Sequence, residues 1–264
     1  MKVISSPNNK YIKLATSLKH RKYRNEQGMF LVEGKRAVQE AQAKPGLVEV
    51  IFADINLTNQ ELTNVDTEIS ECYLLEPGLM RQVCSTENPQ GIAAILRKPI
   101  WLWEDLVDKK GLLILLDRIA DPGNLGSILR TCWAFGVKGV LMTRGSVDLF
   151  SPKVVRSTMG AILNVPVFTD INSRQMDSLY EQGYKLLCTD INQGEKYYSV
   201  PYGGATIITI GSESQGVSEE LKTGCDRFIN IPMKPGVDSL NVASACAIIV
   251  AEAWRQYQEI TELA

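Results

Sequence analysis

Histidine is nearly missing from this 264-residue sequence, His20 being the single one. A histidine-built metal centre is therefore excluded, and a serine hydrolase would have to take its base from a residue far from any candidate nucleophile. The six cysteines, at 72, 84, 132, 188, 225 and 246, form no C-x-x-C pair, so no zinc site is expected and reduced, buried thiols are. No run of about eighteen apolar residues occurs, and the start carries no cleavable apolar stretch, so neither a membrane span nor export is expected and a cytoplasmic protein is. No G-x-G-x-x-G opens a helix after a strand and no glycine-rich loop runs into Lys-Ser/Thr, which removes the dinucleotide fold and the P-loop. Internal repeats and low-complexity tracts are absent as well.

What is present is core-forming material, with 45% hydrophobic residues in a length that suits one large or two modest domains. The net charge of −2 hides an asymmetry. Residues 1–36 hold nine Lys/Arg and two Asp/Glu, a balance of +7, and the remainder is at −9. A polyanion would meet the amino-terminal arm first, and Tyr11 and Tyr23 among the basic residues suit phosphate contacts with occasional base stacking. A basic surface helix that only aids solubility is the plainer alternative.

In chain order, Ser5 to Tyr23 begins with a Ser-Ser-Pro-Asn-Asn turn and then reads as a helix with Ile12, Leu14, Ala15 and Leu18 on its apolar side. Met29 to Glu33 (strand), Gly34 to Ala43 (helix), Val48 to Ala53 (strand), Asn59 to Asp66, Cys72 to Leu75, Glu76 to Ser85 and Gly91 to Leu96 continue an alternation that ends near Arg97. Lys98 to Lys110, with Pro99, Trp101 and Trp103, is the linker candidate, its tryptophans suited to packing between domains. Gly111 to Asp117 is a near-continuous apolar run, as a strand covered on both faces requires, and so implies a parallel sheet. Leu125 to Phe135 (helix), Gly139 to Met142 (strand), Pro152 to Met159 (helix), Val165 to Phe168 (strand), Ser173 to Gln182 (helix) and Tyr184 to Thr189 (strand) follow. The expected domains are 1–97, a linker over 98–110, and 111–264.

Ala205 to Ile210 and Phe228 to Ile231 read as buried strands that break into Gly/Ser/Pro-rich loops, and Val242 to Tyr257 as a helix with Ser239 or Asn241 as its N-cap. These loops look like a ligand-binding end, the second one facing the positive end of a helix. Upstream, Asp121-Pro122-Gly123 is a turn sequence with Asn124 and Arg130 spaced across a helix start. Their separation of six is a poor same-face spacing, so Asn124 belongs in the loop or first turn and Arg130 on the helix. Ser212-Glu213-Ser214-Gln215-Gly216 approximates a nucleophile elbow, but Ser212 stands where that motif needs glycine.

Three segments in this order, Asn124 to Arg130, Gly211 to Gly216, and Ile231-Pro232-Met233 with Ser239-Leu240-Asn241, resemble the motifs of the SpoU (TrmH) branch of the SPOUT RNA methyltransferases. The resemblance covers residues 110–258 firmly and the front more weakly, through Phe30 to Val38. It implies an α/β fold in which an open parallel sheet with a trefoil knot follows a small ribosomal-protein-like RNA-binding domain. It implies S-adenosylmethionine as cofactor, held by Gly211, Gly216, Ile231, Met233 and Leu240, with Met233 equally readable as ordinary packing. It implies methylation of a ribose 2′-hydroxyl, with Arg130 beside the hydroxyl, Asn124 and Glu213 holding the guanidinium, and Ser239 and Asn241 orienting the ribose; Ser239 as a cap remains the alternative. Ribosomal RNA is the first expected substrate and transfer RNA the second. A homodimer through the second domain is expected, and no metal. The rival is a non-catalytic RNA-binding or assembly protein of the same fold.

Overall fold

A computed structural model describes residues 1–57, 71–108 and 110–262. It divides into two compact units, residues 1–100 with 148–163, and residues 101–147 with 164–264. The element expected over Asn59 to Asp66 lies outside the described residues.

The first unit is built on a mixed five-stranded sheet of β1 (Lys2–Ile4), β2 (Met29–Glu33), β3 (Val48–Asp54), β4 (Cys72–Leu75) and β5 (Ile92–Arg97), ordered β1-β4-β3-β5-β2. β5 runs antiparallel to both β2 and β3, and β4 lies parallel to β1 and β3. After the expected turn at residues 5–9, the single helix expected up to Tyr23 is two, α1 (Lys10–Ser17) and α2 (Arg21–Gln27). His20 is extended between them, and Asn9 caps α1 by accepting from the Tyr11 N–H at 2.8 Å. The apolar stripe Ile12, Ala15 and Leu18 is buried in the unit's core with Ile4, Phe52, Leu75 and Ile95. The basic amino-terminal segment is thus a packed part of the unit, with Lys13, Arg21 and Lys22 turned to solvent. α3 (Lys35–Gln42) packs against β2, β3 and β5, and α4 (Pro77–Val83) against α1, β3 and β4.

Residues 148–163, expected in the later domain, pack here instead. α5 (Trp103–Asp108) and α6 (Pro122–Ala134) belong to the second unit, whereas α7 (Pro152–Thr158) lies on β2. Val154 and Val155 are buried, and Phe150 packs against Phe30 with ring centroids 4.8 Å apart and the rings tilted at 52°. Arg24, itself buried, ties the insertion down through Asp148 at 2.5 Å.

The second unit is a seven-stranded sheet, parallel throughout, of β6 (Leu112–Asp117), β7 (Gly139–Met142), β8 (Val167–Phe168), β9 (Lys185–Thr189), β10 (Glu195–Lys196), β11 (Thr206–Gly211) and β12 (Arg227–Asn230). Its order is β10-β12-β9-β11-β6-β7-β8. All six residues of β6 are buried, as their continuous apolar run requires. α8 (Ser173–Glu181) carries a capping box from Asn172 and Gln175. α9 (Glu219–Thr223) follows β11, and α10 (Val242–Glu262) packs along α6. The expected linker is structured in part: α5 sits within it, and Trp103 packs inside this unit, its ring edge-on to Phe168 at 5.2 Å and its Nε1–H donating to Ser178. No helix among the described residues is long and apolar enough to cross a membrane.

Candidate functional site

Because the second sheet is parallel, the loops after β6, β9, β11 and β12 all leave from its carboxyl edge, the edge where open α/β sheets bind ligands. A cleft of about 310 Å³ opens there, at the lower end of small-molecule sites. Gly211 to Val217 form one wall and Ile231, Met233, Leu240, Val242 and Ile249 another, with Asp190 and Lys222 at its side.

The first wall depends on a hairpin that only glycine permits. Gly211 ends β11, and the chain then doubles back so that Ser212 bridges Gly216 and the Gly216 N–H donates to the Ser212 carbonyl at 2.9 Å. A Cβ on Gly211 would overlap the carbonyl carbon of Gly216 and the nitrogen of Val217. Gly216 closes the turn at φ +64°, in the left-handed region.

Asn124 joins the three loops. α6 begins earlier than expected, with Pro122 at its first position and Asp121 as N-cap, so Asn124 sits in the first turn with its N–H bonded to Asp121 at 2.8 Å. That satisfies the backbone and frees the amide group. Its Nδ2 donates to Glu213 Oε1, and its Oδ1 accepts from Asn241 Nδ2 at 3.0 Å. Asn241 is also the cap of α10, accepting from the Ala243 and Ser244 N–H groups at 3.0 and 3.3 Å. Ser239 lines the cleft, and among the described residues the cap bonds of α10 come from Asn241.

Arg130 stands elsewhere. It is exposed on α6, does not line the cleft, and bonds neither Asn124 nor Glu213. Six residues along a helix turn the side chain well off the Asn124 face, and Glu213 Oε1 accepts from Asn124 instead. The expectation that Asn124 and Glu213 grip the guanidinium is corrected on both counts.

The reading of the sequence missed a second network. Asp117, 2% exposed at the end of β6, accepts from the Ser218 N–H at 2.8 Å and the Thr143 hydroxyl at 3.0 Å, and pairs with Arg118 at 3.3 Å. Arg118 donates to Gln215 Oε1 at 2.7 Å. A charged pair at a strand end was the visible sign, but which loop it meets depends on the fold. Asp190 pairs with Lys222 at 3.4 Å. Burial pushes its carboxyl up, but bonds from the Asn192 N–H, Gln193 and Lys222 outweigh this and hold it below the usual carboxylate value. Lys222 is raised, first by its bond to Glu219 and then by Asp190.

S-adenosylmethionine fits this lining. The apolar wall of Ile231, Leu240 and Ile249 suits an adenine face, and the side-chain-free cradle at Gly211 lets backbone approach it. The sequence profile of the SpoU rRNA Methylase family matches residues 111–251. The chain belongs to the SpoU rRNA methylase family. An MRM3-like substrate binding domain matches residues 9–94. Among relatives, the 23S rRNA (guanosine(2553)-2′-O)-methyltransferase RlmP of Bacillus subtilis is 32% identical over 95% of this chain and 98% of its own. The AdoMet-bound rRNA methyltransferase of Sinorhizobium meliloti superposes with a TM-score of 0.84 at 25% identity, covering 96% of this chain and 97% of that one. The SpoU methyltransferase AviRb of Streptomyces viridochromogenes, also in complex with AdoMet, gives 0.83 at 28% identity, covering 95% and 99%.

Proposed function

We propose that this SpoU-family chain transfers a methyl group from S-adenosylmethionine to a ribose 2′-hydroxyl in ribosomal RNA. One observation carries the reading: the Asn124 side chain bridges Glu213 and Asn241, joining all three motif loops around the cleft. The relative RlmP, matched over nearly its whole length, supports the ribose and the ribosomal RNA.

When bound, the donor supplies a methyl group already activated by its sulfonium. The protein's task is then to align the hydroxyl and ease loss of one proton. Gly211, Gly216, Ile231, Met233 and Leu240 hold the donor. Asn124, Glu213 and Asn241 fix the loops, and Ser239 orients the ribose. Arg130 acts as a cation beside the developing alkoxide or its 3′ phosphate, since a guanidinium stays charged and is a poor literal base. Free of Glu213, it takes its orientation from the RNA.

The first unit binds RNA through Lys13, Arg21, Lys22 and neighbouring cations. The second unit carries the trefoil knot of the family, a reading that rests on the family match. Two copies pair through α6 and α10, where Trp254 is 38% exposed beside Phe135, and the protein works in the cytoplasm. Sedimentation at micromolar concentration tests the pairing, and a monomer would refute it. Labelled methyl transfer to total RNA, with mapping of alkali-resistant linkages, tests the reaction; base-methylated product would refute it.

A further inference from the structure

Arg118 is the residue after β6, and its backbone stands at φ +55°, one of three non-glycine residues in the left-handed region among those described. That conformation strains any side chain with a Cβ, and glycine would adopt it freely. Strain held in place by the surroundings points to a use for the side chain. Here the surroundings are explicit: the Arg118 N–H donates to Thr143 Oγ1 at 3.0 Å, and that hydroxyl donates to the buried Asp117 at 3.0 Å.

The side chain is equally directed. Nε and Nη2 of Arg118 reach the two oxygens of Asp117, each at 3.3 Å, which orients the planar fork. Nη1 is left to donate to Gln215 Oε1 at 2.7 Å, across to the hairpin that walls the cleft. The hairpin is thereby held from the β6–α6 segment at three points: Glu213 by Asn124, Gln215 by Arg118, and Ser218 by Asp117. Without Arg118 the apex at Ser214 and Gln215 keeps, among the described residues, its local bonds, from the Gln215 N–H to Ser212 Oγ at 3.3 Å and from the Gly216 N–H to the Ser212 carbonyl.

We propose that Arg118 is a positioning residue for methyl transfer, holding the Ser212–Gly216 hairpin in its donor-binding shape through Gln215; this rests on the cleft being the donor's site. Its contact is with Gln215, so it acts on the donor through the hairpin.

Arg118→Gly separates this role from a purely structural one, because it relieves the backbone strain while removing the fork. In the full-length protein the relieved strain offsets only part of what buried Asp117 loses with its charged partner, so we expect a modestly lowered melting temperature. Amide exchange across Ser212 to Ser218 should quicken by about tenfold, the worth of one to one and a half net hydrogen bonds. KM for S-adenosylmethionine should rise by a similar factor of about ten, with a smaller change in kcat. Gln215→Ala should give the same pattern, the double variant should be no worse than either single, and Gln215→Glu, which keeps an acceptor for the guanidinium, should exchange like the parent. Unchanged hairpin exchange in Arg118→Gly, a lowered melting temperature with unchanged KM, or effects that multiply in the double variant would each overturn the proposal. Exchange is read without donor or RNA, so faster exchange in a protein that methylates no RNA would overturn the reading of the cleft and leave the tether standing.

Discussion

Gly211→Ala puts one carbon into the tightest part of the cleft wall. The new Cβ would overlap backbone atoms of Gly216 and Val217, neither of which can rotate away as a flexible side chain would. β11 cannot retreat, because it is paired with β6 on one side and β9 on the other through the centre of the sheet. The hairpin must yield instead. Carbon atoms pack at about 3.5–4.0 Å, so the displacement is on the order of 1 Å or more. It pulls directly on the Ser218 bond to Asp117 and the Glu213 bond to Asn124. Overpacking of this sort costs about 1–3 kcal/mol of stability, and a misplacement near 1 Å costs about 100-fold in rate. Calorimetric titration with S-adenosylmethionine and labelled methyl transfer should both show the loss, while circular dichroism shows a folded protein. Gly216→Ala is the comparison, because its Cβ meets nothing within 4 Å and only the φ of +64° is strained. Its penalty should be about 1–2 kcal/mol with a milder effect on binding. A Gly211→Ala protein that binds and transfers like the parent would refute the geometric argument.

The remaining predictions concern other parts of the chain. Arg24→Ala leaves Asp148 without its buried partner and should cost about 3–5 kcal/mol, read by urea unfolding; a change below about 1 kcal/mol, the worth of a surface pair, would count against the insertion's anchoring. Replacing Lys13, Arg21 and Lys22 by alanine should lower RNA affinity and reduce the log–log salt slope by about 2–3, with the melting temperature unchanged; an unaltered slope would move the RNA surface elsewhere. Asp190 has a lowered carboxyl value in the folded protein, so its stabilisation is present above the unfolded pKa and is lost as pH falls through the folded one. Asp190→Asn should therefore flatten the acid limb of the stability profile below about pH 4, and an identical limb would contradict the pairing.

Most strands were legible because burial on both faces demands continuous apolar runs, as in Leu112 to Leu116 and Gly139 to Met142, and a parallel sheet follows from such runs. The motif loops were legible for a different reason, since glycine at 211 and 216 and the caps near Asn241 have local physical causes. Long-range packing was not. Nothing in Asp148 to Leu163 says that Phe150 and Val155 meet β2 and its neighbours rather than the later sheet, because an apolar helix face does not name its partner. For the same reason removal of residues 1–97 is a poor test of the first unit: it would uncover the face of α7. Short elements also escaped, β1 and β10 having three and two residues, too few for any period to appear. The linker reading of Lys98 to Lys110 gave too much weight to Pro99 and overlooked Glu104 and Asp105 in the first turn of α5. At the site, the spacing placed Asn124 and Arg130 on different faces, but only the fold shows Glu213 taken by Asn124.

The central claim is ribose methylation that needs the cation of Arg130. The most direct measurement is transfer of a labelled methyl group from S-adenosylmethionine to ribosomal RNA, with alkaline mapping of the product, for the parent, Arg130→Ala and Arg130→Lys. The account predicts one or more alkali-resistant linkages with the parent. It predicts a rate lower by about 100- to 1000-fold for both variants, because lysine keeps the charge and loses the fork, with S-adenosylmethionine affinity unchanged. Methyl groups on bases, or an Arg130→Ala protein that transfers at the parent rate, would contradict it.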